Sequence, residues 1–416
     1  MPPTLTIEKA PTEIVQRLHA AGHEAYVVGG AVRDLLLGVQ PKDFDIATSA
    51  SPEEVRAVFG RGRCRIIGRR FRLAHVFMNR NIYEVSTFRR CPSREERRGR
   101  KSDDGLMIWN DNQYGSLEED ASRRDFTVNS LYYDICGGRG IIDFWGGQKD
   151  LKNKLVRAIG DPVERFAEDP VRMLRALKLR GQFGFKLEES LARALQQQRD
   201  NLSLASRSRL FEELLKVLST CRAEAILDCL QEYGLLLQFW PVLAQSWEEE
   251  EGQLARFLLK EQGRELQEGK IHLSKAMSLS CASLPYLMAA LGGDDMKLDW
   301  KRNDASRQLA QKTLRNLFEG YSLPNYFQER VISICFLLPR LLVKRPAPKT
   351  LRHYEYKYAR KLLEYLCAYY NWDTALLQKL PEAVFRNQDD EKQAQQKQRR
   401  PQRRKKLPEN KHTRKQ

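Results

Sequence analysis

The chain has 416 residues, with 71 Lys+Arg against 54 Asp+Glu and a formal net charge of +17. That length exceeds the roughly 100–200 residues of a usual domain, and 42% hydrophobic with 30% charged residues excludes a wholly disordered chain. No apolar stretch reaches the roughly 18 residues of a membrane helix; the richest, Ile334–Val343, is broken by Pro339 and Arg340. The opening MPPTLTIEKAPTE lacks a basic start followed by an apolar run, so secretion is not expected. Eight scattered cysteines without a CxxC pair fit free thiols in a reducing cytoplasm better than a disulfide framework or structural zinc.

In chain order, AYVVGG is an apolar run closed by Gly29-Gly30, and AVRDLLLG after it has helical spacing with a glycine stop. DFDIAT, RLAHVFM and IYEVSTFR read as strands. Arg89–Asp104 is charge-dense and punctuated by Gly and Pro, which predicts a surface loop. SLYYDI and GIIDFW flank CGGR, a hairpin signal. From about Asp150 onward no strand is expected. Asp169-Pro170 reads as a helix start, with Asp as cap and Pro at the first helical position. RLFEELLKVL and AILDCLQEYGLLLQF then carry Leu at helical spacing. After about Val384 the composition turns to Gln, Lys and Arg, which predicts a disordered tail. Lys392–Gln416 holds 11 Lys/Arg and one acidic residue, so most of the net charge sits there. A polyanionic partner is the physical expectation.

Several residues point to chemistry. On a strand, Asp43 and Asp45 project side by side while Phe44 and Ile46 face the core. Paired hard oxygen ligands suit Mg²⁺ shared with phosphate oxygens. Glu84 is a candidate third carboxylate, equally readable as a solvent-facing strand residue. Gly29 and Gly30 let backbone approach a phosphate, with Arg33 in the turn behind them. Arg123, Arg124 and Asp125 run directly into the apolar FTVNSLYY segment, a costly arrangement unless the charges are paired or bound to ligand. Asp169 and Arg172 lie three apart in a first helical turn, and Arg175 continues that face. A carboxylate beside a guanidinium matches the base edge of adenine, and of cytosine equally; guanine and uracil present a carbonyl where a donor is required.

GGAVRD (Gly29–Asp34), DFD (Asp43–Asp45), RRDFTVNS (Arg123–Ser130) and EDPVR (Glu168–Arg172), in this order, resemble the class II polymerase-β-type nucleotidyltransferases. That superfamily holds bacterial poly(A) polymerases and CCA-adding tRNA nucleotidyltransferases. The element IIGRRFRLAHV (Ile66–Val76) is similar to the poly(A) polymerase branch, as are KDFDIATSASPEEV and the basic C-terminus. The resemblance covers roughly residues 20–220. It implies an α+β fold: a polymerase-β-like head with a mixed sheet and helices (1–155), then an all-helical neck carrying EDPVR (156–218), a helical RNA-binding body (219–385) and a disordered basic tail (386–416).

The resemblance further implies transfer of AMP from ATP to an RNA 3′ end with release of pyrophosphate, in RNA polyadenylation and turnover. Two Mg²⁺ would be held by Asp43 and Asp45, with Asp125 counted among the catalytic acids. The triphosphate would be held by Gly29, Gly30 and Arg33 with help from Arg123 or Arg124. Asp169, Arg172 and Arg175 would serve the base. In the tail, Arg399, Arg400, Arg403, Arg404, Lys405 and Lys406 are expected to touch RNA phosphates without reading sequence. A cytoplasmic location follows from the cysteine usage, and RNA-turnover proteins, of unknown identity, are the expected class of partner. A CCA-adding enzyme is the alternative on the same head; a catalytically silent RNA-binding adaptor is the alternative of another class.

Overall fold

The computed structural model describes residues 5–68, 72–90, 113–292 and 298–384. Helix α1 (Lys9–Ala20) opens the chain and leads to strand β1 (Ala25–Val28), whose four side chains are all buried. Helix α2 (Gly30–Leu36), strand β2 (Asp45–Thr48) and helix α3 (Pro52–Phe59) follow, α3 beginning with a capping box from Ser51 and Glu54. Strands β3 (Cys64–Ile67), β4 (Leu73–Met78) and β5 (Asn81–Thr87) form a meander. After α4 (Leu117–Ser122), strands β6 (Leu131–Asp134) and β7 (Gly140–Asp143) make the expected hairpin.

These seven strands form one sheet in the order β3-β4-β5-β2-β1-β6-β7. Only β2 and β5 run parallel, so the sheet is mixed, as expected. Both of its faces are covered. Val27, Ile46, Val76 and Val85 join the main core, while Tyr26, Val28, Ala47 and Tyr132 pack with Phe88, Leu117 and Ala121 on the other side. Burial on both faces explains why β1 reads as an unbroken apolar run.

Helix α5 (Gly147–Lys152) and the two-residue strand β8 (Leu155–Val156) lead to α6 (Pro162–Glu168) and α7 (Val171–Phe183). Strand β9 (Lys186–Leu187) pairs in parallel with β8. Then come α8 (Glu189–Gln198), α9 (Arg207–Leu218) and α10 (Ala223–Glu232). At Gly181 a side chain would sit 2.6 Å from the Ile226 backbone, so α7 and α10 touch through a residue with no Cβ. The remaining helices are α11 (Leu236–Phe239), α12 (Pro241–Ser246), α13 (Glu250–Gln267), α14 (Lys275–Leu291), α15 (Asp304–Leu317), α16 (Asn325–Leu341), α17 (Pro348–Leu351), α18 (Tyr356–Tyr370) and α19 (Ala375–Gln378). Helix α14 is apolar nearly all round, and α13, α15 and α16 pack about it.

Three expectations need correction. Strand β2 begins at Asp45, so Asp43 precedes the strand rather than lying in it. A short strand pair, β8 with β9, lies beyond residue 150 where none was expected; two-residue strands leave no periodicity to read. Arg89, assigned to the surface loop, is buried at 8% exposure: its amide donates to Asp120 Oδ1 and its guanidinium to the Arg72 carbonyl. The rest of that loop from residue 91 to 104, residues 69–71 of the IIGRRFRLAHV element, and the basic tail lie outside the described residues. Among the described residues no helix is long and apolar enough to cross a membrane, and the seven cysteines are free thiols.

Candidate nucleotide-binding and metal site

The acidic half of the site lies on the sheet. Asp43 and Asp45 are exposed while Phe44 and Ile46 are buried, so the alternation inferred from sequence persists although Asp43 lies just before the strand. Ile46 pairs with Val85, which sets Asp45 and Glu84 on the same outward face of neighbouring strands. Crowding by the surrounding protein, then the negative charge of Glu84, raises the Asp45 carboxyl to about 6; Asp43 adds to this, and Arg124 and Lys216 pull the other way. Negative charge here is in excess. Glu84 itself lies 3.5 Å from His75 Nε2. Among the described residues no group of three or more His, Cys, Asp or Glu is arranged to hold a metal ion. Asp43 and Asp45 therefore fit a cation whose remaining ligands are phosphate oxygens and water, the coordination habit of Mg²⁺.

Beside the carboxylates is the turn between β1 and α2. Gly29 has φ +74, a conformation that favours glycine, and a side chain there would come within 3.4 Å of Arg124 Nη1. Gly30 opens α2, and a side chain there would meet Arg33 Nη2 at 3.5 Å. Arg33 donates to Asp34 Oδ1 (2.8 and 2.6 Å) and to Asn129 Oδ1 (2.6 Å), and its guanidinium lies over the Phe183 ring at the end of α7. Arg123 closes α4. Arg124 donates to the Tyr132 hydroxyl (2.8 Å) and to Asp120 (3.0 Å), which together with the sheet aim it at the glycine turn.

Asp125 serves neither Arg124 nor, in this geometry, the acidic pair. It accepts from the Phe126 amide (2.8 Å) and from Asn129 Nδ2 (3.1 Å), and its second oxygen lies 3.5 Å from Arg175 Nε. Arg175 in turn donates to Asp169 (2.8 Å), and Arg209 from α9 donates to both Asp169 oxygens at 3.0 Å. A continuous polar chain thus runs Arg33–Asn129–Asp125–Arg175–Asp169–Arg209, from the glycine turn across the head to the neck helices.

The expected helix start is shifted by one residue: Pro170, not Asp169, is the N-cap of α7, and Asp169 closes α6 while its carboxylate accepts from the Val171 amide at 3.2 Å. Burial alone would raise Asp169, but Arg175 and Arg209, with Arg172 behind them, hold it below the usual carboxylate range. Arg172 donates to Glu168 Oε2 (3.0 Å) and to the Arg165 carbonyl (2.9 Å). The Asp169–Arg172 pairing read from spacing is therefore realised as two neighbouring pairs, Asp169 with Arg175 and Arg209, and Arg172 with Glu168.

Four functional candidates escaped the sequence reading. Asn129, inside the RRDFTVNS motif, bridges Arg33 and Asp125; an amide both donates and accepts, and that was the signal available. Arg209 comes from α9, 40 residues after Asp169, and no local pattern links them. Lys216, on α9, acts on Asp45, and Lys178, on α7, lies near Asp34 and Arg33. Burial lowers Lys178, against the pull of Glu213 and with the help of Lys216, Arg33 and Lys42. Lys42 also donates to the Ser219 carbonyl at the end of α9 (2.6 Å), tying the segment before Asp43 to the neck. The proposed RNA contacts Arg399, Arg400, Arg403, Arg404, Lys405 and Lys406 lie outside the described residues.

Residues 25–157 match the family model described as poly A polymerase head domain, and residues 184–246 match that described as probable RNA and SrmB-binding site of polymerase A. Poly(A) polymerase I of Haemophilus influenzae is 43% identical over 248 residues, 59% of this chain and 54% of the relative. The CCA-adding enzyme of Lactobacillus helveticus is 40% identical over 215 residues, 52% of this chain and 50% of that enzyme. The chain thus spans about half the length of the curated relatives it matches. Among solved structures, the Bacillus stearothermophilus CCA-adding enzyme in complex with CTP superposes with a TM-score of 0.56 at 26% identity, covering 89% of this chain and 81% of that one. Head motifs, mixed sheet and helical neck agree with these matches, and over about half of its length the chain is similar to poly(A) polymerases and CCA-adding enzymes alike.

Proposed function

We propose that this chain is a template-independent polynucleotide adenylyltransferase that adds AMP from ATP to RNA 3′ ends, organised as a head (1–155), neck (156–218) and RNA-binding body (219–385). The observation that carries this reading is the polar chain from Arg33 to Arg209, because it links a phosphate-binding turn to a base-reading carboxylate. The greater similarity to poly(A) polymerase I, over more of this chain, favours polyadenylation.

Each residue has a physical task. Gly29 and Gly30 bring backbone close to the triphosphate, and Arg33 and Arg124 supply guanidinium charge behind it, with Arg123 closing α4 beside Arg124. Asp43 and Asp45 would hold Mg²⁺, which supplies activation of the primer 3′-hydroxyl and charge compensation on the departing pyrophosphate. Glu84 concentrates negative charge on Asp45 without a contact of its own to it. Asp125 is a positioning residue for Asn129 and Arg175. In the neck, Asp169 would accept from the adenine N6 amino group and Arg172 would donate to N1. The Asp169 oxygens already accept four bonds, so the base enters by displacing the exposed Arg209, whose single nitrogen is shared between both oxygens. No template strand is required.

The same base edge suits CTP, and the CCA-adding neighbours make that the second reading. Gel-resolved extension of a 5′-labelled unstructured RNA with Mg²⁺, each NTP offered separately, tests both. A long ladder with ATP alone, lost in Asp43→Ala, is expected. One to three additions, only with CTP plus ATP and only on tRNA ends, would assign the chain to the CCA-adding branch.

A further inference from the structure

A second surface with chemistry of its own lies on the body, outside both family-model matches. From Leu341 to Tyr354 the chain carries Lys344, Arg345, Lys349 and Arg352 with no Asp or Glu. All four cations are exposed. Tyr354 is 53% exposed, and its ring stacks on His353 with centroids 4.6 Å apart and planes 23° from parallel. Val343 adds 48% exposed apolar surface at the start of the segment. Burial, with the charge of Arg302 on a different loop and of Arg340 at the end of α16, keeps the His353 imidazole below its ordinary value.

This is not a loose, solvated charge run. Arg340 donates to the buried Thr350 hydroxyl (2.6 Å), and the Glu355 amide donates to His353 Nδ1 (3.2 Å). Glu355 is fully buried and pairs with Arg330, which anchors the end of the segment to α16. Pro346 and Pro348 restrict the backbone in between. Cations held on a fixed frame beside an exposed aromatic stack suit a polyanion with stackable rings, because preorganisation lowers the entropy lost on binding.

We infer that Lys344, Arg345, Lys349, Arg352 and the His353–Tyr354 stack form a docking surface for single-stranded RNA, holding a stretch of the substrate away from the reacting 3′ end. The inference rests on the reading that the chain extends RNA, and it deepens that reading by naming where the body grips the strand. Charge complementarity selects the occupant: RNA offers a phosphate for each cation and a base for the tyrosine, whereas an acidic protein would use the cations alone.

The test uses the full chain, RNA primers of about 6 and about 30 nucleotides, and two variants. One replaces Lys344, Arg345, Lys349 and Arg352 by Ala; the other is Tyr354→Ala. For the longer RNA, the quadruple variant should bind at least about 10-fold more weakly and lose about 3 from the slope of log K against log salt. Tyr354→Ala should weaken binding about fivefold with an unchanged slope, since it removes stacking without charge. Extension of the short primer should keep its kcat and its KM for ATP in both variants. Long-RNA affinity and salt slope equal to wild type in both variants would overturn the inference, and so would capture of an acidic protein at this surface with RNA affinity unmoved. A wild-type chain that extends no RNA while the variants still lose RNA affinity would contradict the proposed activity and leave the surface standing.

Discussion

Asp45 and Asp169 sit in opposite fields. Asp45 stands beside Glu84 and Asp43, and crowding plus like charge raise it to about 6. Asp169 is held down by Arg175, Arg209 and Arg172 in spite of its burial. The first is short of positive charge; the second is saturated with donors. The difference separates two jobs that the sequence motifs DFD and EDPVR do not distinguish by residue type. Negative charge gathers around Asp45 on the central strand β2, whereas guanidinium groups surround Asp169.

The comparison breaks most sharply at Asp169. Asp169→Asn leaves Arg209 without its carboxylate and Arg175 with Asp125 alone, so preference for ATP over UTP should fall roughly 100-fold. Folding stability should drop by about 2 kcal/mol, read by urea unfolding. Unchanged discrimination would remove Asp169 from base reading.

A smaller effect is expected at Asn129, the link between the two fields. Asn129→Ala frees Arg33 and Asp125 from their shared amide and should raise KM for ATP about 10-fold with kcat within a factor of about 3. A fall in kcat alone would place Asn129 at the reacting atoms instead.

The smallest effect concerns a structural aspartate outside the cleft. Burial works against Asp134, but the amides of Gly137 and Arg139 and the Arg139 guanidinium hold it low. A carboxylate depressed in the folded state stabilises above its unfolded value near pH 4, and that stabilisation is lost as pH falls through the folded value. Thermal midpoints should therefore decline below about pH 4, and more shallowly in Asp134→Asn. Equal acid slopes in the two proteins would contradict it.

The head was legible because its signals are short-range. The all-buried run Ala25–Val28, the alternation of Asp43 to Ile46 and the CGGR hairpin each announce their element within a few residues. The positions of Asp43, Asp45, Asp125 and Asp169 were also readable, because the motifs that carry them are compact. Their partners were not. Arg209 reaches Asp169 across 40 residues and Arg175 on α7 reaches Asp125 beside the sheet, contacts set by how α7 and α9 pack rather than by local spacing. Asp125 illustrates the point: its sequence neighbour Arg124 turns to Tyr132 and Asp120, and while Asn129 lies in the same motif, the guanidinium facing Asp125 is that of Arg175 on α7. The body hid its surface chemistry for another reason. Leu-rich helices such as α13 and α16 repeat one apolar pattern, and the frame that fixes residues 340–355 depends on a buried pair, Arg330 with Glu355, contributed from two elements.

The central claim, that Asp45 lacks positive charge while Asp169 does not, is tested most directly by titrating Mn²⁺ into wild type, Asp45→Asn and Asp169→Asn with saturating ATP, reading bound metal by electron paramagnetic resonance. Wild type and Asp169→Asn should bind Mn²⁺ alike, and Asp45→Asn should lose at least about 10-fold in affinity. Equal Mn²⁺ affinity in Asp45→Asn and wild type would contradict the account.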